Sequence, residues 1–404
     1  MTHRLLCLSY VPTHPATAGN RSRIVEMLRA LQIAGWEVDF LYQDIFAGST
    51  REMREFWGDS FHYVPYRNSS LFHRGLRSLR QARRIVPWAF KPGFQVLNRF
   101  RNQSRSNPMN LDDWYDPALD QWLADRFSRV KYDAFMVEYF FASRALLMAP
   151  RSVRRVIDTH DVFALGGSDN LRAVKESWVW VEPDTELAGL RRADAVLAIQ
   201  HAEAATLRQA GVEGVSIVGH FMKPQPCSRE AALKSKEVLF VASSHRFNVE
   251  GLRWFHQAVF PLLKDILTPD QVVITGNIRE ILGRKLPFTF RGMLPDLRPA
   301  YESARMVISP ILGGSGLKIK NVEAMAMGRT VVTTPCGAIG LESGAGKVFS
   351  VGSTPLEFAN AIRALLADDS LCDARMRAGI QYVADGHSAH LKELEGALLG
   401  QSVT

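Results

Sequence analysis

The residues with the most chemical meaning lie in one stretch, SPILGGSGLKIKNVEAMAMGRTVVTT, Ser309 to Thr334. Gly313, Gly314 and Gly316 form a turn between a short apolar run, Met306 to Ser309, and a helix expected over Lys318 to Met327 and ended by Gly328. Backbone N–H groups left bare by such a turn, with the partial positive charge of a helix N-terminus, attract phosphate oxygens. Glu323, about two turns into the helix, stands roughly 10 Å from the turn at the usual rise per residue. That reach suits a diphosphate on the turn and a ribose diol on the carboxylate. A tight packing turn followed by a surface carboxylate gives the same short string. Three further groups sit where strands end: Glu138 closes DAFMVE, while His160 and Asp161 follow the strand Val156 to Asp158. Ligands in open α/β sheets bind beyond the carboxyl ends of strands, which makes this His–Asp pair a site candidate; a histidine that caps the next helix is the alternative.

The elements needed to place these groups alternate between strand and helix. RLLCLS is a buried strand, Ile24, Leu28 and Leu31 mark one face of the next helix, Gly35 ends it, and Glu37 to Tyr42 is the following strand. Gly19 and Asn20 at that helix start, with Arg21, offer a second anion site, ordinary capping by Asn20 being the plainer account. LDDWYDPALDQWLADRF reads as a helix before the strand of Glu138, and Trp178, Trp180, Glu182 and Glu186 as part of another, the tryptophans serving packing. Asp194 to Ile199, His201 to Ala210 and Val215 to Val218 continue as strand, helix and strand. Lys223 to Lys236 has proline, serine and charge but no apolar period, so it is the expected linker. Beyond it EVLFVASS, QVVITG, FTFRG, RMVISP and TVVTT give the five strands of a second sheet. Ser244 and Arg246 follow the first of these, and Arg291, Gly292 and Met293 end the third. TPLEFANAIRALL carries a capping box in Thr354 and Glu357 with Pro355 at the first helical position. The expected fold is α/β, two Rossmann-like doubly wound parallel-sheet domains facing a cleft: residues 1–222, a linker 223–236, residues 237–384, and a last helical stretch 385–404.

At 404 residues two domains of ordinary size fit better than one, and 47% hydrophobic with 22% charged residues is a soluble globular balance. No run approaches the ~20 apolar residues of a membrane-spanning helix, and Met1 to Pro12 lacks a basic start and a long apolar core. A cytoplasmic location is the expectation. The four cysteines, Cys7, Cys227, Cys336 and Cys372, have no metal-ligand spacing and are expected as reduced thiols. The net charge of +8 is concentrated: between Ser60 and Leu111 there are ten Lys or Arg residues and no Asp or Glu. Arg77, Arg80, Arg83 and Arg84 alternate there with Phe72, Leu76, Leu79 and Trp88, a pattern suited to an anionic bilayer interface or an acceptor surface at ~1 kcal/mol per basic residue. A solvated basic surface has the same composition. Nucleic acid is not an expected partner, because no recognition-module signature accompanies the charge.

The stretch from Ser309 to Thr334, with FRGMLPDLRPAYESARMVISP before it and VVTTPCGAIGLE after it, resembles the donor-binding motif of glycosyltransferase family 4 and its relatives in the GT-B fold. The shared pattern is proline, glycine-rich turn, lysine, glutamate, alanine, methionine, alanine, glycine. It covers nearly all of Lys236 to Ala389 and, more loosely, the first domain. The resemblance implies transfer of a sugar from a UDP- or GDP-linked donor to a hydroxyl of a glycan or lipid-linked acceptor, with retention, without a metal or other cofactor, in cell-surface polysaccharide or lipid-linked glycan assembly. The first domain takes the acceptor, the second the nucleotide sugar, and the last helix braces the first domain. Carried onto this chain, His160 touches the donor sugar, Asp161 orients it or receives the acceptor proton, and Glu138 stands with them. Donor contacts fall to Gly19, Asn20, Ser244, Arg246, the backbone of Arg291, Gly292 and Met293, and then Gly314, Ser315, Gly316, Leu317, Lys320 and Glu323.

Two departures accompany the resemblance. Family members carry two glutamates with seven residues between them; Glu323 fills the second place and Ser315 the first. Serine grips sugar hydroxyls less firmly than a carboxylate, which implies a donor other than the commonest glucose or mannose, or recognition by backbone around Gly337 to Gly340. The family lysine near Asn248 or Val249 is missing, and Arg246 is its replacement. A sugar-nucleotide epimerase of the same fold, and a catalytically silent nucleotide-binding scaffold, are the competing readings.

Overall fold

The computed structural model describes residues 2–16, 18–67, 108–165, 181–282, 286–314 and 316–401. Ser315, the tryptophans Trp178 and Trp180, and the residues Arg77, Arg80, Arg83, Arg84 and Trp88 lie outside the described residues. The chain divides into two compact units, Met1–Val218 with Glu393–Thr404, and Gly219–Lys392.

The first unit runs β1 (Arg4–Ser9), α1 (Gly19–Ile33), β2 (Glu37–Gln43), α2 (Thr50–Trp57), β3 (Phe61–Val64), α3 (Ala118–Arg129), β4 (Ala134–Glu138), β5 (Arg154–Asp158), α4 (Pro183–Leu190), β6 (Ala195–Ala198), α5 (His201–Gln209) and β7 (Val215–Ile217). Its seven strands are parallel, in the order β3-β2-β1-β4-β5-β6-β7. Parallel strands are covered on both faces and so read as continuous apolar runs, here Leu5 to Leu8 and Ala134 to Val137, all without exposed surface. The order reverses between β1 and β4, which opens a crevice beyond their carboxyl ends. Helix α1 buries Ile24, Leu28 and Leu31 as expected, but Arg23 is buried on it too, in phase with Met27 and Ala30. The helix expected from Leu111 starts only at Ala118, because Pro117 disfavours helical geometry in the residue before it and Asp116 Oδ1 accepts the Ala118 N–H at 2.9 Å.

The second unit runs α6 (Arg229–Lys234), β8 (Val238–Val241), α7 (Arg246–Trp254), β9 (Val272–Thr275), β10 (Thr289–Gly292), α8 (Arg298–Ser303), β11 (Met306–Ser309), α9 (Ile319–Ala326), β12 (Thr330–Thr333), β13 (Ser350–Val351), α10 (Pro355–Ala367) and α11 (Asp369–Leu399), the last helix passing to the first unit at Glu393. Six parallel strands order as β10-β9-β8-β11-β12-β13, with a second reversal between β8 and β11. Alternation along each strand divides the core: Phe240, Ile274 and Ile308 pack with Leu252, Phe255 and Phe358 on one face, Leu239, Val307 and Val331 with Tyr301 and Met325 on the other. The stretch read as a linker, Lys223 to Lys236, is instead stitched to this unit. Gln225 and Cys227 donate to the carbonyls of Ala326 and Met327 at 2.9 and 3.0 Å, Arg329 and Arg305 donate to those of Ser228 and Leu233 at 2.9 and 2.6 Å, and Ala232 is buried. Thr354 Oγ1 caps α10 by accepting the Glu357 N–H at 3.2 Å, while the Glu357 carboxylate reaches the N–H of Ser353. The four cysteines are free. Among the described residues no helix is long and apolar enough to cross a membrane.

Candidate functional site

In the first unit β4 and β5 end side by side, with Glu138 opposite Asp158, and α1 brings Arg23 against them. The Arg23 guanidinium forks onto Asp158, 2.8 Å from Nε to Oδ2 and 2.7 Å from Nη2 to Oδ1, and also donates to the Val218 carbonyl at 2.8 Å. His160 Nε2 lies 2.5 Å from Glu138 Oε2 and 3.3 Å from Asp158 Oδ2. With its hydrogen on Nε2 the ring donates to these carboxylates, and in its neutral form it then accepts through Nδ1. The Tyr139 ring stacks on His160 with centroids 4.3 Å apart, and its hydroxyl accepts from Asn20 Nδ2 at 3.1 Å across the reversal of strand order. Tyr139 and His160 both hold positive φ, 68° and 59°, a conformation costing of order 1–3 kcal/mol for a residue with a Cβ. Asp161 is half-buried beside them.

Burial raises the Glu138 carboxyl, with the His160 hydrogen bond opposing it. Burial also works to raise Asp158, but the Arg23 charge overturns this and holds it below the usual carboxylate range. Cys7, donating to Glu138 Oε1 at 3.4 Å, is pushed well up by burial and by that carboxylate. Ligand-type atoms of Glu138, Asp158 and His160 lie within 4.8 Å of one another. A cation among them would meet the guanidinium that already occupies both Asp158 oxygens, so the set fits an internal ion network better than a resident metal.

Not every expected group in this unit is offered to a ligand. Helix α1 has Ala18 as its N-cap, Gly19 as its first residue and no side-chain cap; Asn20 Oδ1 takes the Arg21 N–H at 2.9 Å. The Arg21 guanidinium donates to the carbonyls of Pro15 and Ala47, both at 3.1 Å, and so joins two loops instead of facing an anion.

In the second unit the glycine-rich turn follows β11. A Cβ on Gly313 would stand 2.5 Å from the Phe247 ring and one on Gly251 2.1 Å from the Pro310 carbonyl oxygen, so α7 lies directly on this turn; Gly314 has φ of 100°. Gly251→Ala therefore has no room, and a melting curve is expected to show the second unit several degrees less stable, at about 1–3 kcal/mol of overpacking. Lys320, on the first turn of α9, donates to the Val241 carbonyl at 3.0 Å and to Asn248 Oδ1 at 2.7 Å. Packing around its ammonium pushes it down to about 8, with Glu323 opposing and Lys318 adding. Asn248 in turn donates to Ser243, and the Ser244 N–H to Asn277 Oδ1 at 2.8 Å. Lys318 folds onto the carbonyls of Gly314 and Gly316 at 3.1 and 2.5 Å. Beyond β12, Gly337 gives its carbonyl to the buried Asn321 Nδ2 at 2.8 Å.

Helix α9 starts at Ile319, so the half-buried Glu323 stands about one turn in, not two. Leu317 is half-buried, and its carbonyl accepts the Ile319 N–H at 3.1 Å. Arg246 is half exposed, 4.0 Å from Glu250 and over the Phe247 ring. The Arg291 guanidinium donates to Glu237 at 2.7 Å and to Ser303 at 3.1 Å, while the contact expected of this residue is through its backbone. The Gly292 carbonyl accepts from the Gly276 N–H at 2.7 Å and from Thr275 Oγ1 at 2.9 Å, and Met293 after it is exposed. Sequence reasoning overlooked Arg23, Asp158, Tyr139, Lys318 and Asn277. An arginine in phase with buried helix positions, and an acid as the last residue of a buried strand, were signals for the first two.

Two doubly wound parallel units with their polar groups gathered at the strand-order reversals define the GT-B class of fold. Solved structures agree over nearly the whole length: TarM (TM-score 0.65, 10% identical, 98% of this chain and 99% of that one) and sucrose-phosphate synthase of Thermosynechococcus elongatus (0.63, 15%, 97% of each). HepE of Anabaena, in a complex with UDP and glucose, gives a TM-score of 0.60 at 14% identity over 98% of each chain. Residues 235–368, within the second unit, match the family model described as glycosyl transferases group 1. An uncharacterized 44.6 kDa protein in the cps region of Klebsiella pneumoniae is 26% identical over 143 residues, 32% of this chain and 37% of that protein. The match thus spans little more than a third of that relative's length.

Proposed function

We propose that the protein transfers a sugar from a nucleoside-diphosphate donor, UDP-linked in the first instance, to an acceptor hydroxyl, with retention and without a metal, in surface-glycan assembly. The observation that carries this reading is the second-unit constellation, a glycine-rich turn ahead of a helix with Lys320 on its first turn and Glu323 one turn on, inside the segment that matches the group 1 family. Main-chain N–H groups of Gly314 to Leu317 with Lys320 and Arg246 meet the leaving diphosphate, and Glu323 takes the ribose diol. His160, its Nε2 proton held by Glu138, presents Nδ1 to the donor sugar, and Asp161 orients it or receives the acceptor proton. With Ser315 where relatives of this kind carry a carboxylate, selection of the sugar falls partly to main chain near Gly337, which Asn321 fixes. UDP in the HepE complex and the cps-region relative support the donor class and the setting. The basic segment from Ser60 to Leu111 supports a lipid-linked acceptor at an anionic membrane surface.

The test is calorimetric titration with UDP and GDP, followed by a nucleotide-sugar panel with a membrane lipid extract as acceptor. Glu323→Ala is expected to weaken binding of the preferred nucleotide about tenfold, the loss of one or two charge-assisted hydrogen bonds. Unchanged affinity would remove the assignment. An epimerase would interconvert the free nucleotide sugar with no acceptor present.

A further inference from the structure

His160 and Asp161 leave β5 on a turn that is clamped at both ends. On the near side Thr159 donates twice to the Leu197 carbonyl of β6, from its N–H at 3.1 Å and its hydroxyl at 2.9 Å. On the far side the chain is held by Glu186, a side chain only 1% exposed on α4. Its Oε1 accepts the N–H of Phe163 at 2.8 Å, and its Oε2 accepts those of Ala164 at 2.6 Å and Leu165 at 3.1 Å. Three main-chain dipoles thus meet one buried carboxylate, and these charge-assisted bonds are about twice as strong as neutral ones.

The backbone between the clamps needs that hold. His160 sits at φ of 59°, which a residue with a Cβ leaves unless its surroundings over-determine it. The strain places the imidazole under the Tyr139 ring and its Nε2 on Glu138. We propose that Glu186 is the positioning residue of the first-unit site: by collecting three successive N–H groups it fixes the turn that aims His160 and Asp161 at the donor sugar. The inference rests on the catalytic reading of that pair. Glutamine has the right size but a single acceptor oxygen, so its amide nitrogen would face N–H groups that also donate.

The experiment measures Glu186→Gln, His160→Ala and the double variant for turnover of the preferred nucleotide sugar, for UDP affinity and for melting temperature. Expected are a kcat lowered about 10–30-fold in Glu186→Gln, UDP affinity within twofold of the parent because nucleotide binds the other unit, and a double variant little slower than His160→Ala alone. Losses that multiply in the double variant, or Glu186→Gln turnover within threefold of the parent while His160→Ala is strongly impaired, overturn the positioning role and leave the functional reading standing. A His160→Ala protein of full activity overturns the functional reading itself. Should Glu186→Gln not fold, Glu186→Asp, which keeps the charge and shortens the reach by one methylene, gives the same split at smaller size; full turnover in that variant, with His160→Ala impaired, would equally end the proposal.

Discussion

Arg23→Met is expected to cost about 3–5 kcal/mol in the unfolding of the first unit, because it strands the buried Asp158 carboxylate without its counter-ion. Both side chains are wholly buried, and the fork supplies two of the hydrogen bonds Asp158 makes. Urea denaturation followed on a signal from that unit reads the loss. The pH dependence gives it a signature. Asp158 is held below its ordinary range in the parent, so the stability it contributes is present above the unfolded carboxylate value of about 3.9 and is lost as pH falls through the lower folded value. Without Arg23 the same carboxyl is raised, and its cost at neutral pH shrinks as acid protonates it. The gap between parent and variant should therefore narrow from pH 7 towards pH 4. Adding Asp158→Asn to Arg23→Met should recover part of the loss, since a neutral amide is cheaper to bury than an unpaired charge. A penalty below 1 kcal/mol that does not vary with pH would show the pair to be dispensable.

That pair also shows where sequence stops being informative. Parallel strands buried on both faces announce themselves as apolar runs, and the glycine-rich turn announces itself by composition; β1, β4, β8, β11 and the Gly313–Gly314 turn were all legible for this reason. The edge strands β3 and β13 were not, because FHYV and the two-residue SV carry no continuous apolar run. Pattern along the chain places a residue on a face, but it does not name the partner across the sheet. Arg23 and Asp158 are separated by 135 positions, and only the neighbouring ends of β4 and β5 under α1 bring them together. Lys223 to Lys236 failed for the converse reason. A segment with no apolar period looks solvated, yet its backbone is bonded to Ala326, Met327, Arg305 and Arg329, contacts that composition does not register.

Lys320→Gln is expected to lower turnover by roughly 10²-fold, the usual loss when one charged donor to a developing oxyanion is removed. In the proposed reaction this ammonium meets the diphosphate; the Val241 carbonyl and Asn248 Oδ1 fix it and leave its charge without a carboxylate hydrogen bond. Its environment pushes it down to about 8, so the cation that a diphosphate needs is present below that pH and disappears above it. Nucleotide affinity in the parent should fall as pH rises from 7 to 9.5, while in Lys320→Gln it should stay low and nearly flat through that step. The second proton of a phosphate leaves near pH 6, outside this window. Stability must move the other way. A lysine depressed on folding binds fewer protons in the native than in the unfolded chain between about 8 and its ordinary 10.5, and its contribution to stability rises with pH over that interval. A lysine that served only the fold would show the same rise in stability but no fall in affinity over this interval, so the affinity profile is what distinguishes the two roles. A flat affinity profile in the parent, or an unaltered affinity profile in Lys320→Gln, would take the diphosphate away from this residue.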